Sequence, residues 1–425
     1  MPESSASLPC RICGAPLTTT FVDLGASPPC EAILTREESE RGESAYPLHV
    51  RICDECLLVQ LPEVIPAEEI FTDEYAYFSS FSTSWIEHAR RYAEAMIERL
   101  ELGPSSFVVE VASNDGYLLR HFRDAGIPCL GVEPTANTAA AAREQGIETE
   151  VVFLGEATGT DIATRHRRAD LVVANNVYAH VPDLADFTKG LAALLAPTGT
   201  LTMEFPHLAR LIDERQYDTI YHEHFQYYTL LTAQRAVALG GLTVVDVDEL
   251  STHGGSLRIY CQHADAAGEP SAAVTELLAR EEAAGLHSLA GHAGFEEAVR
   301  VVKRDLLRFL LDAQEQGERV VGYGAPGKGN TLLNHCGIRP DLLEFTVDRN
   351  HHKHGKFLPG SRIPVLPPEA IEAARPDYVL VLPWNLRAEI SAQLHYVADW
   401  GGQLVFAIPH LQIVEPGASG EGAQS

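Results

Sequence analysis

The sequence predicts an α/β protein built on two Rossmann-like parallel sheets, with a small cysteine-bearing module in front of them. Three observations lead there. Two CxxC pairs, Cys10–Cys13 and Cys53–Cys56, stand near the N-terminus. Short apolar runs alternate with helical patterns from about residue 101 to 262, the order that builds a parallel sheet covered by helices. A second, shorter alternation runs from Arg319 to Ala407.

Each CxxC pair can present two thiolates to one metal from a tight turn, and two pairs complete a tetrahedral set. Four protein ligands leave no open position, so Cys10, Cys13, Cys53 and Cys56 are read as a structural zinc site. A redox pair or a nucleic-acid-binding ribbon uses the same spacing. Cys30, in a Pro28-Pro29-Cys30 context, is a weaker candidate ligand. The stretch 71–82 is dense in aromatics and hydroxyls; Tyr75, Ser79 and Ser80 are candidates to line a pocket. An amphipathic helix follows, with Trp85, Ala89, Tyr92, Met96 and Leu100 on one face.

The segment FVVEVASNDGY, Phe107 to Tyr117, organises the central domain. It reads as a buried strand that breaks into a small, polar, glycine-containing turn, where a ligand can approach the backbone. Glu110 and Asp115 would repel a phosphate but suit a cationic or amine-bearing ligand such as S-adenosylmethionine. Glu133 ends the next strand about 20 residues on, where a ribose-binding carboxylate belongs in such folds. Glu110, Asn114, Gly116 and Glu133 are therefore expected to hold the cofactor, with Asn175 and Asn176 at the end of the third strand. His180, in the AHVPD motif, also falls at the carboxyl end of the sheet. The most chemically loaded segment is Tyr217 to Tyr228, containing Tyr221-His222-Glu223-His224. Histidines two apart cannot share one helix face toward a metal, so this is not a zinc-protease motif. A His beside a Glu and a Tyr fits general acid–base work on a carbonyl compound. The loop Thr252 to Arg258 could close the same pocket or be an ordinary turn. A helical stretch from about 272 to 317 leads to Gly322, Gly324 and Gly327, a GxGxxG after a strand, with Asp348 about 20 residues on. That pattern admits a nicotinamide cofactor. Lys328 and Asn330, at a helix start, suit an anionic ligand such as the diphosphate of a nucleotide-sugar.

At 425 residues the chain has room for two to three domains. A formal net charge of −27 disfavours nucleic acid and anionic membranes as partners. Eight cysteines without an export signal do not read as a disulfide framework, and the protein is expected to be cytoplasmic. Expected boundaries are a zinc module at 1–68, a methyltransferase domain at 69–265, a substrate-binding domain at 266–415 and a disordered tail at 416–425.

Taken together, CxxC…CxxC, the NDG turn, AHVPD, YHEHFQYY, GKGNTLLN, VDRN…KxGKxxPG and LPWN resemble the zinc-containing sugar C-methyltransferases that act on nucleotide-linked 4-keto-deoxyhexoses. The resemblance spans nearly the whole chain. It implies a class I S-adenosylmethionine-dependent methyltransferase fold, structural zinc and a keto-sugar substrate, dTDP-linked, with methylation at ring position 3 and a possible monomer. It assigns the catalytic roles to Tyr221, Glu223 and His224, with Tyr75 and His180 joining them. Substrate contacts fall on Ser79, Ser80, Lys328 and Asn330. Pro326-Gly327 and Cys30 depart from the family pattern. Alternatives are an NAD-dependent nucleotide-sugar oxidoreductase or epimerase using the last domain, an O- or N-methyltransferase acting on the sugar, and a noncatalytic scaffold.

Overall fold

The computed structural model describes residues 8–66, 78–81 and 83–416. The described residues fall into two compact units. The first draws on Met1–Thr19, Ile52–Leu208 and Phe225–Gly291; the second on Thr20–Arg51, Ala209–His224 and His292–Ser425.

A seven-stranded sheet forms the centre of the first unit. Its strands lie in the order Leu242–Leu250, Ser256–His263, Leu195–Pro206, Ala169–Val173, Val108–Val111, Cys129–Val132, Thr149–Glu150. The last five are mutually parallel; the first two form an antiparallel hairpin on the edge. Both faces are buried, as parallel sheets require. Val109, Val111, Val172 and Met203 enter one apolar cluster, and Val108, Leu171, Val173 and Tyr260 the other. The helix Thr83–Arg99 covers the second face through Ala89, Tyr92 and Met96, which the sequence spacing had put on one stripe. Tyr92 reaches through that layer to Thr202, hydroxyl to hydroxyl at 2.5 Å.

The second unit holds a six-stranded sheet in the order Val365–Leu366, Thr346–Val347, Val320–Tyr323, Tyr378–Val381, Gln403–Phe406, Gln412–Val414. Five strands are parallel and the last is antiparallel. The expected helical stretch 272–317 is two helices, Ala272–Ala283 and Phe295–Gln316. Gly285 and Gly294, both at positive φ, interrupt it, a backbone region that a residue with a Cβ enters at a cost. The longer helix buries Phe295, Val299, Val302, Leu306, Leu310 and Ala313 and ends on Gly317 at φ 73. Among the described residues no helix is long and apolar enough to cross a membrane. The expected tail beyond Pro416 and the candidate Tyr75 lie outside the described residues.

Candidate active site and metal centre

The four N-terminal cysteines converge in the first unit. Their sulfurs all lie within 4.8 Å of one another, with Cys10 to Cys56 at 3.4 Å and Cys13 to Cys53 at 3.5 Å. Tetrahedral Zn–S bonds of about 2.3 Å put sulfurs roughly 3.8 Å apart, so this set fits a zinc ion. Two matching turns aim the thiols. Gly14 (φ 73) donates its N–H to Cys10 O, and Leu57 (φ 63) donates to Cys53 O, both at 2.9 Å. Gln60 Nε2 donates to Cys10 Sγ at 3.2 Å, a hydrogen bond that favours the thiolate a metal needs. Cys30 does not join this set: it belongs to the second unit, where its buried thiol lies at Gly327.

The predicted cofactor turn is built from acids and strained backbone. Ala112, Asn114 and Gly116 all take positive φ, so the chain turns back sharply after Val111. Glu133 pins it: Oε2 accepts from Asn114 N–H at 2.9 Å, while Oε1 accepts from Thr135 N–H at 2.9 Å and Thr135 Oγ1 at 2.5 Å. Gly131 is required beside it, because a Cβ there would meet Ser113 Oγ at 2.4 Å. Ser79 and Ser80 also sit at this turn, donating their backbone N–H groups to Asn114 Oδ1 (2.9 Å) and Asp115 Oδ2 (3.2 Å). Glu110 is wholly buried; burial, then Glu133 and Asp115, push its carboxyl well above the usual range. Glu110 Oε2, Asp115 Oδ1 and Asn175 Oδ1 are buried acceptors with no hydrogen-bond donor among the described residues. Asn176 follows at φ 54, its N–H on Glu204 O at 2.7 Å. Unused acceptors and acids at the carboxyl end of a parallel sheet fit a ligand with a sulfonium, an ammonium and ribose hydroxyls. They do not fit a phosphate.

One network was not singled out from sequence. Glu204 Oε2 bonds His88 Nε2 at 2.9 Å, and its Oε1 accepts from Arg258 Nε and Nη2 at 2.8 and 2.5 Å. Burial pushes Glu204 upward, but His88 and Arg258 together hold it below the ordinary carboxylate value. Trp85 stacks on both His88 and Tyr117, so this network abuts the residue that closes the cofactor turn. His180 lies in the short turn Tyr178–His180 of the same unit.

In the second unit, Tyr221, Glu223 and His224 are gathered by a turn in which His224 N–H bonds Tyr221 O at 2.9 Å. The Tyr221 and His224 rings lie 4.0 Å apart. His224 Nδ1 contacts Thr219 O at 2.8 Å. A carbonyl only accepts, so Nδ1 carries the proton and Nε2 of the neutral ring holds the lone pair. His222 points elsewhere, donating from Nε2 to Tyr46 O at 3.1 Å, and burial lowers its pKa. Burial first, then Glu31, pushes the Glu223 carboxyl up to about 7.

The glycine-rich turn of this unit is satisfied by the chain itself. Asp348 accepts from Ala325 and Asn350 N–H groups, both at 2.7 Å, which occupies the carboxylate a dinucleotide ribose would use. A Cβ on Gly327 would meet Cys30 Sγ and Glu31 Oε1, each at 2.8 Å. A carboxylate at that position opposes a diphosphate. Asn330 Nδ2 donates to Cys30 O at 2.6 Å, and the half-buried Lys328 Nζ donates to Asn385 Oδ1 at 3.0 Å. The sequence placed Lys328 and Asn330 toward a ligand; the structure gives both partners within the chain.

Known proteins share this three-part order. Residues 10–71 match a zinc-binding domain model, 85–247 a methyltransferase domain and 251–409 a C-methyltransferase C-terminal domain. The C-methyltransferase NovU of Streptomyces niveus is 37% identical over 408 residues, 95% of this chain and 96% of that protein. This chain belongs to the C-methyltransferase family. It is an S-adenosylmethionine-dependent methyltransferase with an N-terminal zinc-binding domain. A ubiquinone biosynthesis O-methyltransferase of Rhodopseudomonas palustris (strain BisA53) is 24% identical over 159 residues, 32% of this chain and 63% of that protein. A solved S-adenosylmethionine-dependent methyltransferase from Clostridium acetobutylicum ATCC 824 aligns with 42% of this chain and 91% of its own, at 12% identity and TM-score 0.34.

The geometry makes two measurable demands. Purified protein should contain close to one zinc per chain; Cys53→Ser should lose that metal and lower Tm, measured by elemental analysis and calorimetry. Glu223 has its folded-state pKa raised from 4.5 to about 7, so it favours the folded state at low pH and disfavours it progressively as pH rises across that window. Relative to the native protein, Glu223→Gln should therefore gain stability between pH 4.5 and 7, approaching about 3 kcal/mol at pH 8, since each tenfold change in proton affinity corresponds to ~1.4 kcal/mol. Denaturation midpoints across that range read the difference.

Proposed function

We propose that this enzyme methylates a ring carbon, position 3, of a nucleotide-linked 4-keto-deoxyhexose, by way of an enolate that its own base generates. The observation that carries this reading is the His224 Nδ1–H bond to Thr219 O, which leaves a basic Nε2 in a cluster with Tyr221 and Glu223. Oxygen and nitrogen acceptors already own a lone pair. A carbon acceptor does not, and needs a base to create one.

A keto group at sugar position 4 acidifies the neighbouring C–H bond. His224 Nε2 takes that proton, and the electron pair moves into the C3–C4 bond and onto the keto oxygen. Tyr221 donates a hydrogen bond to that oxygen, Glu223 polarises the imidazole, and Tyr75 keeps the catalytic role that the resemblance gives it. His180 serves as a further polar contact to the reacting sugar. S-adenosylmethionine, held by Glu110, Asn114, Gly116, Glu133, Asn175 and Asn176, supplies the methyl group as an electrophile. Ser79 and Ser80 keep the substrate-binding role expected of them, and Lys328 and Asn330 act through the segments they anchor in their own unit. The same reading divides the chain into a zinc module (1–68), a cofactor domain (69–265) and a substrate domain (266–415), and takes the protein as a cytoplasmic monomer acting on a dTDP-sugar. Asp348, spent on backbone N–H groups, and Glu31, set beside Gly327, weigh against the nicotinamide alternative.

A positioned base contributes about 10²- to 10⁴-fold in rate. His224→Asn should therefore lower methyl transfer by at least 10²-fold while S-adenosylmethionine binding, followed by calorimetry, stays within twofold. Turnover close to native in that variant would remove His224 from the mechanism.

A further inference from the structure

The carbonyl that fixes His224 belongs to a turn that is buried more completely than its own chemistry requires. Tyr217, Asp218, Thr219 and Ile220 are all buried, and three contacts from one side hold them. Thr331 Oγ1, on the helix Gly327–Cys336, donates to Ile220 O at 3.0 Å. Trp384 Nε1–H donates to Asp218 Oδ2 at 2.7 Å. Tyr217 OH and Cys336 Sγ meet at 3.6 Å.

A half-buried cation lies beside them. Lys328 Nζ lies 5.1 Å over the Trp384 ring, donates to Asn385 Oδ1 and is the cation that acts on Asp218. Burial pushes the Asp218 carboxyl up to about 6, with Lys328 and the Trp384 indole opposing, while burial lowers Lys328 and Asp218 opposes in turn. A fully buried aspartate is costly unless a donor and a nearby cation compensate it, and here the Trp384 indole and the half-buried Lys328 do so. A plain packing contact would use Leu or Phe at both positions.

We infer that Thr331, Trp384, Asp218 and Lys328 are positioning residues that seat the turn Tyr217–Ile220, so that Thr219 O holds the His224 imidazole in its Nδ1-protonated form with Nε2 presented as the base. The motifs GKGNT and LPWN then serve the segment YDTIYHEH, although they stand far from it in sequence. Lys328 in this role is a counter-charge for Asp218, and no diphosphate need reach it. This inference rests on the assignment of His224 as the base, and its test separates the two.

The test uses full-length zinc-loaded protein labelled with ¹⁵N-histidine, with the His224 resonances identified by their loss in His224→Asn. Nδ1 and Nε2 of a neutral imidazole have distinct ¹⁵N shifts according to which one carries the proton, and the measurement needs no substrate. The native protein should show His224 protonated on Nδ1. Trp384→Phe, which removes the indole N–H together with part of the ring, and the milder Thr331→Val, which replaces only the hydroxyl with a methyl group, should each give a mixture of tautomers. In methyl transfer to a 4-keto-sugar nucleotide, kcat should fall about tenfold or more in each variant while KM stays within twofold. Thr331→Val covers the case in which Trp384→Phe does not fold. If both soluble variants keep a single Nδ1-protonated form and native kcat, the seat is packing alone and the inference is overturned. If the tautomer is lost in the variants but His224→Asn turns over normally, the seat stands and the base assignment falls.

Discussion

The hydrogen bond from His224 Nδ1 to Thr219 O is the contact on which the proposed chemistry depends most. It spends the proton on the nitrogen that faces the backbone, which makes the other nitrogen the basic one. Everything around it in the second unit has a reason once that is granted. The 3₁₀ turn Tyr217–Thr219 brings the acceptor carbonyl round, the turn Tyr221 to His224 closes the ring back onto it, and Tyr221 flanks the imidazole face. His222, only two residues away, is drawn off toward Tyr46 and out of the same role. Two histidines with the same side chain therefore acquire different chemistry from the carbonyl each one meets.

The first unit solves a different electrostatic problem. Acids are concentrated at the carboxyl end of its sheet, and Glu110 is buried with two carboxylates acting on it. Burying a carboxyl without a donor is unfavourable, and unlike Glu110, Glu133 relieves its own burial by accepting backbone N–H groups from Asn114 and Thr135. Those bonds also hold the left-handed residues of the turn in place, so strain and charge are stored together. A cationic, hydroxyl-rich cofactor would satisfy what remains. A phosphate at the same turn would meet these acids, so the side chains and not the fold decide the ligand.

Much of this was legible in the sequence. The strand and turn Phe107 to Tyr117, the acid at Glu133 and the alternation of strands with helices marked the cofactor domain, because period-2 burial and glycine punctuation are local signals. The cysteine quartet was legible for the same reason: CxxC is a local geometry, and Gly14 and Leu57 complete it. Residues that act through distant partners were not legible. Glu204 meets His88 and Arg258 from 116 and 54 positions away, and no spacing rule links them. Lys328 at a glycine-rich helix start looked like an anion ligand, but Asp218, Trp384 and Asn385 reach it only through the tertiary fold. Asp348 stood at the distance expected of a ribose carboxylate and instead caps the loop before it. The two-residue strands Thr346–Val347 and Val365–Leu366 are too short for any alternation to register. Ser79 and Ser80 contribute backbone N–H groups, which side-chain identity does not announce.

A carbon nucleophile made by an enzymatic base is the central requirement of the proposed mechanism. The direct measurement is incubation with a nucleotide-linked 4-keto-6-deoxyhexose and S-adenosylmethionine carrying a ¹³C methyl group, in deuterated water, with the product read by NMR. The expected product carries the labelled methyl on a ring carbon next to the keto group, and deuterium should enter slowly at that carbon when the cofactor is withheld. A labelled methyl on oxygen or nitrogen, with no deuterium entering the ring, would contradict a base-generated enolate.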